Sequence, residues 1–364
     1  MFESMNSTLS YESATQGSTY PPRQPDDTVI QPGSIKPQTQ DAEFLANIIA
    51  RETGKILKSQ TSAGDSNRCL PVVGVDRGSG WGPNSRILLD RLTQTVRRHD
   101  PRRAVITYCN ERQPDTFGRL ATYHQNESQE RIYRGLLCGS FLDQLLPSSS
   151  VTIVTSNAAL HWLDLKHRTM ERVAFSQRNV HCLAKIAAIQ WRYFMQNIAA
   201  ELTPGGKLIV SFVGRNSAAA EHVPLQLLQL AIRDVLHEKV GPEQLDFRLA
   251  IPIYLRTLPE IRRPFQDRSL SLVLEKCQLA YQPCPYFEQF KRDRDRQRYA
   301  SEFTQFVRGF SSVALMQWLH GVAPESRAQQ LVSDIYQNVQ ARILSDPQRW
   351  TMSKHRVIVI AAKA

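Results

Sequence analysis

Long apolar runs are absent from this sequence. No stretch approaches the roughly 18 consecutive apolar residues that a membrane-spanning helix needs. The first residues, MFESMNSTLSYESATQGST, are polar and contain no apolar signal core. These absences argue against a helical membrane protein and against secretion, so we expect a cytoplasmic protein without a membrane partner.

Closely spaced cysteines are also absent. The six cysteines stand at positions 69, 109, 138, 182, 277 and 284, with no C-x-x-C pair and no Cys/His arrangement of the zinc type. Their spacing supports neither a disulfide-stapled scaffold nor a structural metal site. We therefore expect reduced core cysteines and no metal.

Blocks of like charge are missing although the net charge is +11. The most charged stretch, KRDRDRQR at 291–298, alternates in sign, which favours a solvated helix face over a phosphate-binding stripe. We therefore expect no nucleic-acid partner. A basic surface also attracts small anions, and this role fits the scattered charge better.

A hydrophobic content of 41% is enough to bury a substantial core in a chain of 364 residues. Residues 1–40 are rich in Ser, Thr, Gln and Pro and are predicted to form a flexible leader. The pattern DAEFLANIIARETGKIL then has helical spacing, and Asp41 is a candidate cap for that helix.

Strands and helices alternate from residue 70 onward. LPVVGVD, RAVITYCNE, IYRGLLCGSF, VTIVTSNAALHW and PGGKLIVSFVG are predicted strands, with helices at SRILLDRLTQTVRR and CLAKIAAIQWRYFMQNIAAEL. This alternation predicts an α/β fold with a doubly wound parallel sheet over 41–214. Residues 215–350 are mostly helical, including one long helix through 287–319, with sheet strands at 269–282 and a final strand in 351–364.

The loop DRGSGWGPN follows the first strand and carries Gly78, Gly80 and Gly82. It lacks the Gly-Lys-Ser/Thr of a phosphate loop and the clean spacing of a dinucleotide site. Either it is an ordinary βα turn or it binds a ligand that carries an adenosine and a cationic amino acid, which would suit Asp76. Asn110 and Glu111 end the second strand, where such folds hold a ribose, although a solvated loop is an equally simple interpretation.

The segment SNAALHWLDL continues the apolar run VTIVT. Polar residues at the carboxyl end of a parallel strand mark the edge where open α/β sheets bind ligands. Trp162 is therefore either a pocket wall or an ordinary core residue.

These motifs, taken in order, resemble the plant-type SABATH methyltransferases of salicylic acid, benzoic acid and theobromine. The resemblance rests on VDRGSGWGPN, GSFLDQLLPSSSVTIVTSNAALHWL, ELTPGGKLIVSFVGR and LDFRLAIPIYLRTLPEI, and it runs from about Asp41 to the carboxyl terminus. It implies a Rossmann-like class I methyltransferase sheet with an inserted α-helical cap, in an enzyme of secondary metabolism. It also implies S-adenosylmethionine as donor, a small-molecule carboxylic acid as acceptor, and a homodimer in several members.

The resemblance assigns site residues as well. The residues implied for the donor are Asp76, Gly78, Ser79, Gly82, Asn84, Asn110, Glu111, Ser140, Phe141 and Ser156. The residues implied for the acceptor are Gln38, Ala158, His161, Trp162 and Tyr254. Among these, Trp162 would hold the carboxylate through its indole N–H, with Gln38 sharing that task.

Two alternatives stay open. A carboxylate with a pKa of about 4 is already ionised at neutral pH, so carboxyl methylation needs no catalytic base. In the first alternative, an N-methyltransferase of a small heterocycle, His161 would act as that base. The second is a catalytically silent scaffold, because Arg77 and Trp81 stand where the family has an apolar and a small residue.

Overall fold

The computed structural model describes residues 36–62, 70–80, 82–112, 116–118, 120–121, 130–172, 182–217, 222–240, 250–351 and 354–364. The predicted leader up to residue 35, and Trp81, lie outside these ranges. Within them no helix is long and apolar enough to cross a membrane.

Seven strands form one mixed sheet in the order β3-β2-β1-β4-β5-β7-β6. The first five strands are parallel, and β7 runs antiparallel between β5 and β6. The strands are β1 Val72–Arg77, β2 Val105–Glu111, β3 Ile132–Cys138, β4 Val151–Asn157, β5 Leu202–Gly214, β6 Leu272–Gln282 and β7 Lys354–Lys363. The prediction of a parallel sheet over 41–214 is therefore confirmed for these five strands, while β6 runs in their direction and β7 runs against them.

Eight α-helices have both ends within the described residues, and they pack either on this sheet or on one another in a helical cap. They are α1 Lys36–Ser62, α2 Pro83–His99, α3 Leu183–Glu201, α4 Val223–Lys239, α5 Leu258–Arg262, α6 Pro285–Asp293, α7 Arg296–Leu319 and α8 Glu325–Ser345. Leu45 of α1 and Leu88 of α2 pack on one face of the sheet with Ile153. Trp191 and Phe194 of α3 pack on the opposite face.

The helix α1 begins at Lys36, five residues before the predicted cap Asp41. Asp41 is buried within the helix, and its carboxylate accepts hydrogen bonds from Lys354 at 2.6 Å and Arg356 at 2.9 Å. The sequence predicted a cap because Asp often begins helices. It could not predict the ion pair, since the partners of Asp41 lie more than 300 residues away on β7. This ion pair ties the first helix to the last strand.

A separate hydrophobic core joins α4, α6, α7 and α8, as expected for a helical cap. The predicted helix over 287–319 is broken in the charged stretch, where Arg294 adopts a left-handed conformation with φ 59°. Asp295 then caps α7 by accepting a hydrogen bond from the backbone N–H of Arg298. The stretch of alternating charges therefore contains a helix boundary, because an Asp side chain favours the N-cap position over a helix interior.

The parallel strands bring their carboxyl ends to one edge of the sheet. The antiparallel strand β7 begins at this edge, since His355 pairs with Gly214 at the end of β5. We call it the carboxyl edge. The turns after β1, β2 and β4 therefore lie at the same edge of the sheet as the start of β7.

Candidate active site

The glycine-rich turn connects β1 to α2 at the carboxyl edge. Gly78, Gly80 and Gly82 have φ values of 70°, 57° and 101°, which disfavour L side chains. A Cβ on Gly78 would stand 2.6 Å from the Cβ of Ala159. The turn therefore holds its backbone closely against the loop after β4, and it delivers the chain into the first turn of α2.

Asp76 is the last residue but one of β1, and it is almost completely buried. Its Oδ2 accepts a hydrogen bond from Ser85, while its Oδ1 has no hydrogen-bond partner among the described residues. Burial raises the pKa of Asp76 to about 7. The Oδ1 of Asn84 is likewise buried and without a described partner. Two buried acceptor oxygens at this turn suit a cationic, hydrogen-bond-donating ligand group.

Asn110 is fully buried, and its side-chain amide is saturated by backbone. Its Nδ2 donates to the carbonyls of Leu137 at 3.1 Å and Gly139 at 2.9 Å, and its Oδ1 accepts from the N–H of Gly78 at 3.4 Å. An amide nitrogen has two protons, so none is left for a ribose hydroxyl. Asn110 therefore braces the turns after β1 and β3.

Glu111 follows Asn110 and is only partly buried. Its two carboxylate oxygens accept from the backbone N–H groups of Gly80 at 3.0 Å and Arg112 at 2.8 Å. A carboxylate oxygen can accept more than one hydrogen bond, so these contacts orient the group without excluding a ligand hydroxyl. Of the two residues predicted for a ribose, Glu111 has the suitable geometry.

Three predicted donor-site serines direct their hydroxyls to protein groups. Ser79 donates to the carbonyl of Asp76 at 3.0 Å, and Ser156 donates to the carbonyl of Arg77 at 2.8 Å. Ser140 donates to Asp164 at 3.3 Å. Ser156 is fully buried, so its side chain supports the turn from below and the prediction of a direct donor contact for it is not supported.

Arg77 is fully buried between β1 and the end of α3. Its guanidinium pairs with Glu201 and donates to the carbonyl of Asp143 at 3.2 Å. The side chain thus points away from the glycine-rich turn. The departure from the family pattern at this position is accommodated by a matched ion pair, which sequence spacing does not reveal.

The loop after β4 leaves the sheet through Ala158, which has a left-handed φ of 60°. It carries Trp162, which is partly buried and packs against the cap core. Trp162 pairs with Ile253 in an isolated bridge. It also lines a small cleft with Phe141 and Arg256. Trp162 therefore lies where sheet, cap and cleft meet.

His161 is 8% exposed, and its Nδ1 has no hydrogen-bond partner in the described part of the chain. Burial, and then the positive field of neighbouring groups, lowers its pKa to about 3. The imidazole is therefore neutral at physiological pH and a weak base. A general base works best when its pKa lies near the working pH, so this environment disfavours His161 as a proton acceptor.

Tyr254 directs its hydroxyl to its own neighbours. The hydroxyl donates to Glu260 at 2.6 Å and accepts from Arg215 at 2.9 Å. The ring packs with the cluster around Leu163. These contacts give Tyr254 a structural role, and they do not bring its hydroxyl to Trp162.

Gln38 lies in the first turn of α1, and its side chain falls outside the described residues. Its backbone stands three residues before Asp41, whose carboxylate reaches Lys354 at the carboxyl edge. The helix therefore brings the position of Gln38 toward this edge.

Several residues of this region escaped the sequence analysis: Ser85, Glu201, His222, Arg256 and Lys354. Ser85 had a local signal, because it stands in the first turn of α2 beside the glycine-rich loop. The others are separated from their partners by tens to hundreds of residues. No periodicity or motif could have paired them.

The sequence model of a family described as "SAM dependent carboxyl methyltransferase" matches residues 72–361. Over 236 residues the chain is 26% identical to a probable jasmonic acid carboxyl methyltransferase 2 of Theobroma cacao, covering 55% of this chain and 63% of that relative. Over 217 residues it is 26% identical to the O-methyltransferase acrG of Aspergillus aculeatus, covering 54% of this chain and 55% of that relative. The match thus spans less than two thirds of either relative.

Among solved structures the chain is similar to a loganic acid methyltransferase with SAH. The TM-score is 0.68 at 14% identity, and the alignment covers 94% of this chain and 99% of that one. At this identity the likeness concerns the fold. It confirms the predicted α/β, Rossmann-like methyltransferase fold.

Proposed function

Because the chain belongs to the family of SAM-dependent carboxyl methyltransferases, we propose that it converts a small-molecule carboxylic acid into its methyl ester with S-adenosylmethionine as donor. The observation that carries the proposal is the buried Oδ1 of Asp76, which has no partner among the described residues and lies on the strand next to the one that leads to Trp162. In this proposal the site for the cationic amino acid of the donor and the site for the acceptor carboxylate adjoin at the carboxyl edge.

The residues at the glycine-rich turn fit the donor. Asp76 and Asn84 would accept hydrogen bonds from its ammonium group, and Glu111 would accept them from its ribose hydroxyls. Gly78 and Gly82 would let the backbone come close to the donor, while Ser140 and Phe141 lie in the loop after β3, where the adenine would bind. Ser79, Asn110 and Ser156 hold these turns in place.

The acceptor side rests on Trp162, His161 and the position of Gln38, with Ala158 leaving room beside them. Trp162 would donate its indole N–H to the carboxylate and orient one oxygen toward the methyl group. When bound, the donor supplies an electrophilic methyl group: a carboxylate oxygen forms the new O–C bond, the C–S bond breaks, and its electron pair stays on sulfur. Orientation with water excluded can supply roughly 7–11 kcal/mol of such a barrier.

The two alternatives fit less well. An N-methyltransferase that removes a proton needs a base, and burial leaves His161 a weak one. A silent scaffold was suggested by Arg77, but this side chain turns away from the donor turn toward Glu201. Trp81 lies outside the described residues and supports neither view.

The proposal includes the wider organisation. We assign donor binding to residues 41–214, acceptor selection to the cap 215–350 with its sheet strands at 269–282, and sheet completion to 351–364, after a leader 1–40. We further propose a cytoplasmic enzyme of secondary metabolism, with a homodimer as its expected assembly, that uses no metal and has no nucleic-acid or membrane partner.

The test is transfer of isotopically labelled methyl from S-adenosylmethionine to a panel of small carboxylic acids and nitrogen heterocycles. We expect labelled products from acids, and we expect mild base to release the label as methanol. A base-stable product would transfer the assignment to N-methylation. A folded protein that binds neither S-adenosylmethionine nor S-adenosylhomocysteine would support the scaffold alternative.

A further inference from the structure

Two histidines lie where the sheet meets the cap, close enough to influence each other electrostatically. His161 precedes Trp162 on the loop after β4, and His222 immediately precedes α4, the first cap helix. Each lies within the electrostatic reach of the other and of Lys354 at the start of β7. We call His161, His222 and Lys354 the basic cluster.

Both imidazoles have unused hydrogen-bonding capacity. The Nδ1 atoms of His161 and His222 are buried, and neither has a partner among the residues that the structure describes. His222 occupies the N-cap position of α4, yet its side chain makes no capping hydrogen bond. A buried polar atom without a partner costs free energy, so a ligand group that supplies the partner is favoured.

The charges around the cluster do not balance. Lys354 and Arg356 share the single carboxylate of Asp41. Arg256 is 3% exposed and donates to the carbonyls of Leu160 at 2.6 Å and Ala187 at 2.9 Å. No carboxylate in the described ranges forms an ion pair with it.

These groups leave a surplus of positive charge that one acceptor carboxylate does not neutralise. Among the described residues, the groups joined to Lys354 or to the backbone beside His161 comprise three cations, Lys354, Arg356 and Arg256, and one acid, Asp41. The negative charge of Glu260 also acts on Arg256. The positive charge of Arg215 balances that of Glu260, so the pair leaves the count unchanged. Within the described ranges the surplus is therefore two positive charges, and a bound donor, which carries one net positive charge, would add to it. Buried charge of one sign is costly unless a counter-ion binds.

We propose that the acceptor is a dicarboxylic acid, of which one carboxylate is methylated beside Trp162 while the second is bound by His161, His222 and Lys354. This inference rests on the proposed function. One C–S bond breaks and one O–C bond forms, as in any ester formation here, and the product is the monoester. Methylation removes one negative charge from the acceptor, so the product fits the positive site less well than the substrate does.

The first test compares acids that differ only in the second carboxylate. Hexanoate is paired with adipate, and benzoate with benzene-1,4-dicarboxylate, using labelled S-adenosylmethionine and the native enzyme. We expect kcat/KM for the diacid to exceed that for the matched monoacid by about tenfold or more, mainly through KM. Monoacids that react as well as or better than their diacids would overturn the inference and leave the proposed function intact.

The second test uses variants of His222, which precedes the first helix of the helical cap. His222→Leu is expected to lower kcat/KM for the diacid more than for the monoacid, and so to reduce their ratio several-fold. His222→Gln, which keeps a hydrogen-bond donor, should recover part of the ratio. His237→Leu changes an exposed histidine of the same helix and serves as the control.

The variants also separate this inference from the function it rests on. An unchanged diacid-to-monoacid ratio in His222→Leu would refute the role of the cluster. Methyl transfer to no acid, by an enzyme that still binds S-adenosylhomocysteine in calorimetry, would refute the proposed function and the inference together.

Discussion

Arg77 and Glu201 form an ion pair in which both side chains are completely buried. Glu201 also accepts hydrogen bonds from the backbone N–H groups of Leu145 and Leu146. The pair thus links the end of β1, the end of α3 and the loop after β3. These are the elements that hold the glycine-rich turn and Phe141 in place.

Breaking this pair should destabilise the protein strongly. Glu201→Gln leaves the guanidinium of Arg77 buried without a counter-charge, and such a loss typically costs about 3–5 kcal/mol. Arg77→Met should cost a similar amount by stranding the carboxylate. The measurement is chemical denaturation of each variant.

The double variant Arg77→Met with Glu201→Gln provides the control. It removes both charges, so it should be more stable than the sum of the single losses predicts. Strictly additive losses would contradict a direct ion pair.

Replacing Trp162 with Phe should weaken acceptor use selectively. Phenylalanine keeps an aromatic ring against the cap core and removes the indole N–H. A hydrogen bond to a charged group is worth about 1.5–3 kcal/mol, so kcat/KM should fall about 10- to 100-fold. The dissociation constant of S-adenosylhomocysteine should stay within about twofold. Unchanged steady-state kinetics would show that Trp162 is only a packing residue.

Donor binding should depend on pH through Asp76. Its pKa is raised to about 7 by burial, and an ammonium group binds the ionised carboxylate better than the protonated one. Affinity for S-adenosylhomocysteine should therefore rise with pH up to about 7 and then level off, with proton release below that pH. Calorimetry in buffers of different ionisation enthalpy measures both effects. Asp76→Asn should bind more weakly and lose the pH dependence; a variant that kept the wild-type profile would assign the titration to another group.

The same residue predicts a stability effect without ligand. The pKa of Asp76 in the folded protein lies above the unfolded value of about 4, so unfolding releases a proton and this group's contribution to stability falls as pH rises from 4 to 7. Removing the carboxylate should therefore help above pH 7. Asp76→Asn should raise Tm by about 2 °C or more at pH 8 and have little effect at pH 4.5. A lower Tm at pH 8 would mean that Asp76 is paired in the ligand-free protein.

The sequence predicted most of the fold because its strands are short apolar runs with helices between them. The sequence did not predict that β7 is antiparallel. The direction of a strand depends on the edge at which the chain re-enters the sheet after the helical cap, and no local pattern shows that edge. The helix break at Arg294 was missed for a local reason, since Asp295 fits a helix face or a cap equally well.

The candidate site was predictable where it follows one turn, as at Asp76 and Gly78. The role of a site residue was not predictable where its side chain can hydrogen-bond either to the backbone or to a ligand. Asn110 and Glu111 are adjacent in sequence, yet only the structure shows that backbone groups saturate the amide of Asn110. His222 and Lys354 join His161 from distant segments, so no local pattern connects them.

The central claim is that a carboxylate oxygen of the acceptor receives the methyl group. The most direct measurement supplies an accepted acid with both carboxylate oxygens labelled with ¹⁸O, together with S-adenosylmethionine that carries a deuterated methyl group. Mass spectrometry of the product should show one deuterated methyl and both ¹⁸O atoms in a methyl ester. Loss of one ¹⁸O, or a deuterated methyl bound elsewhere than on a carboxylate oxygen, would contradict the account.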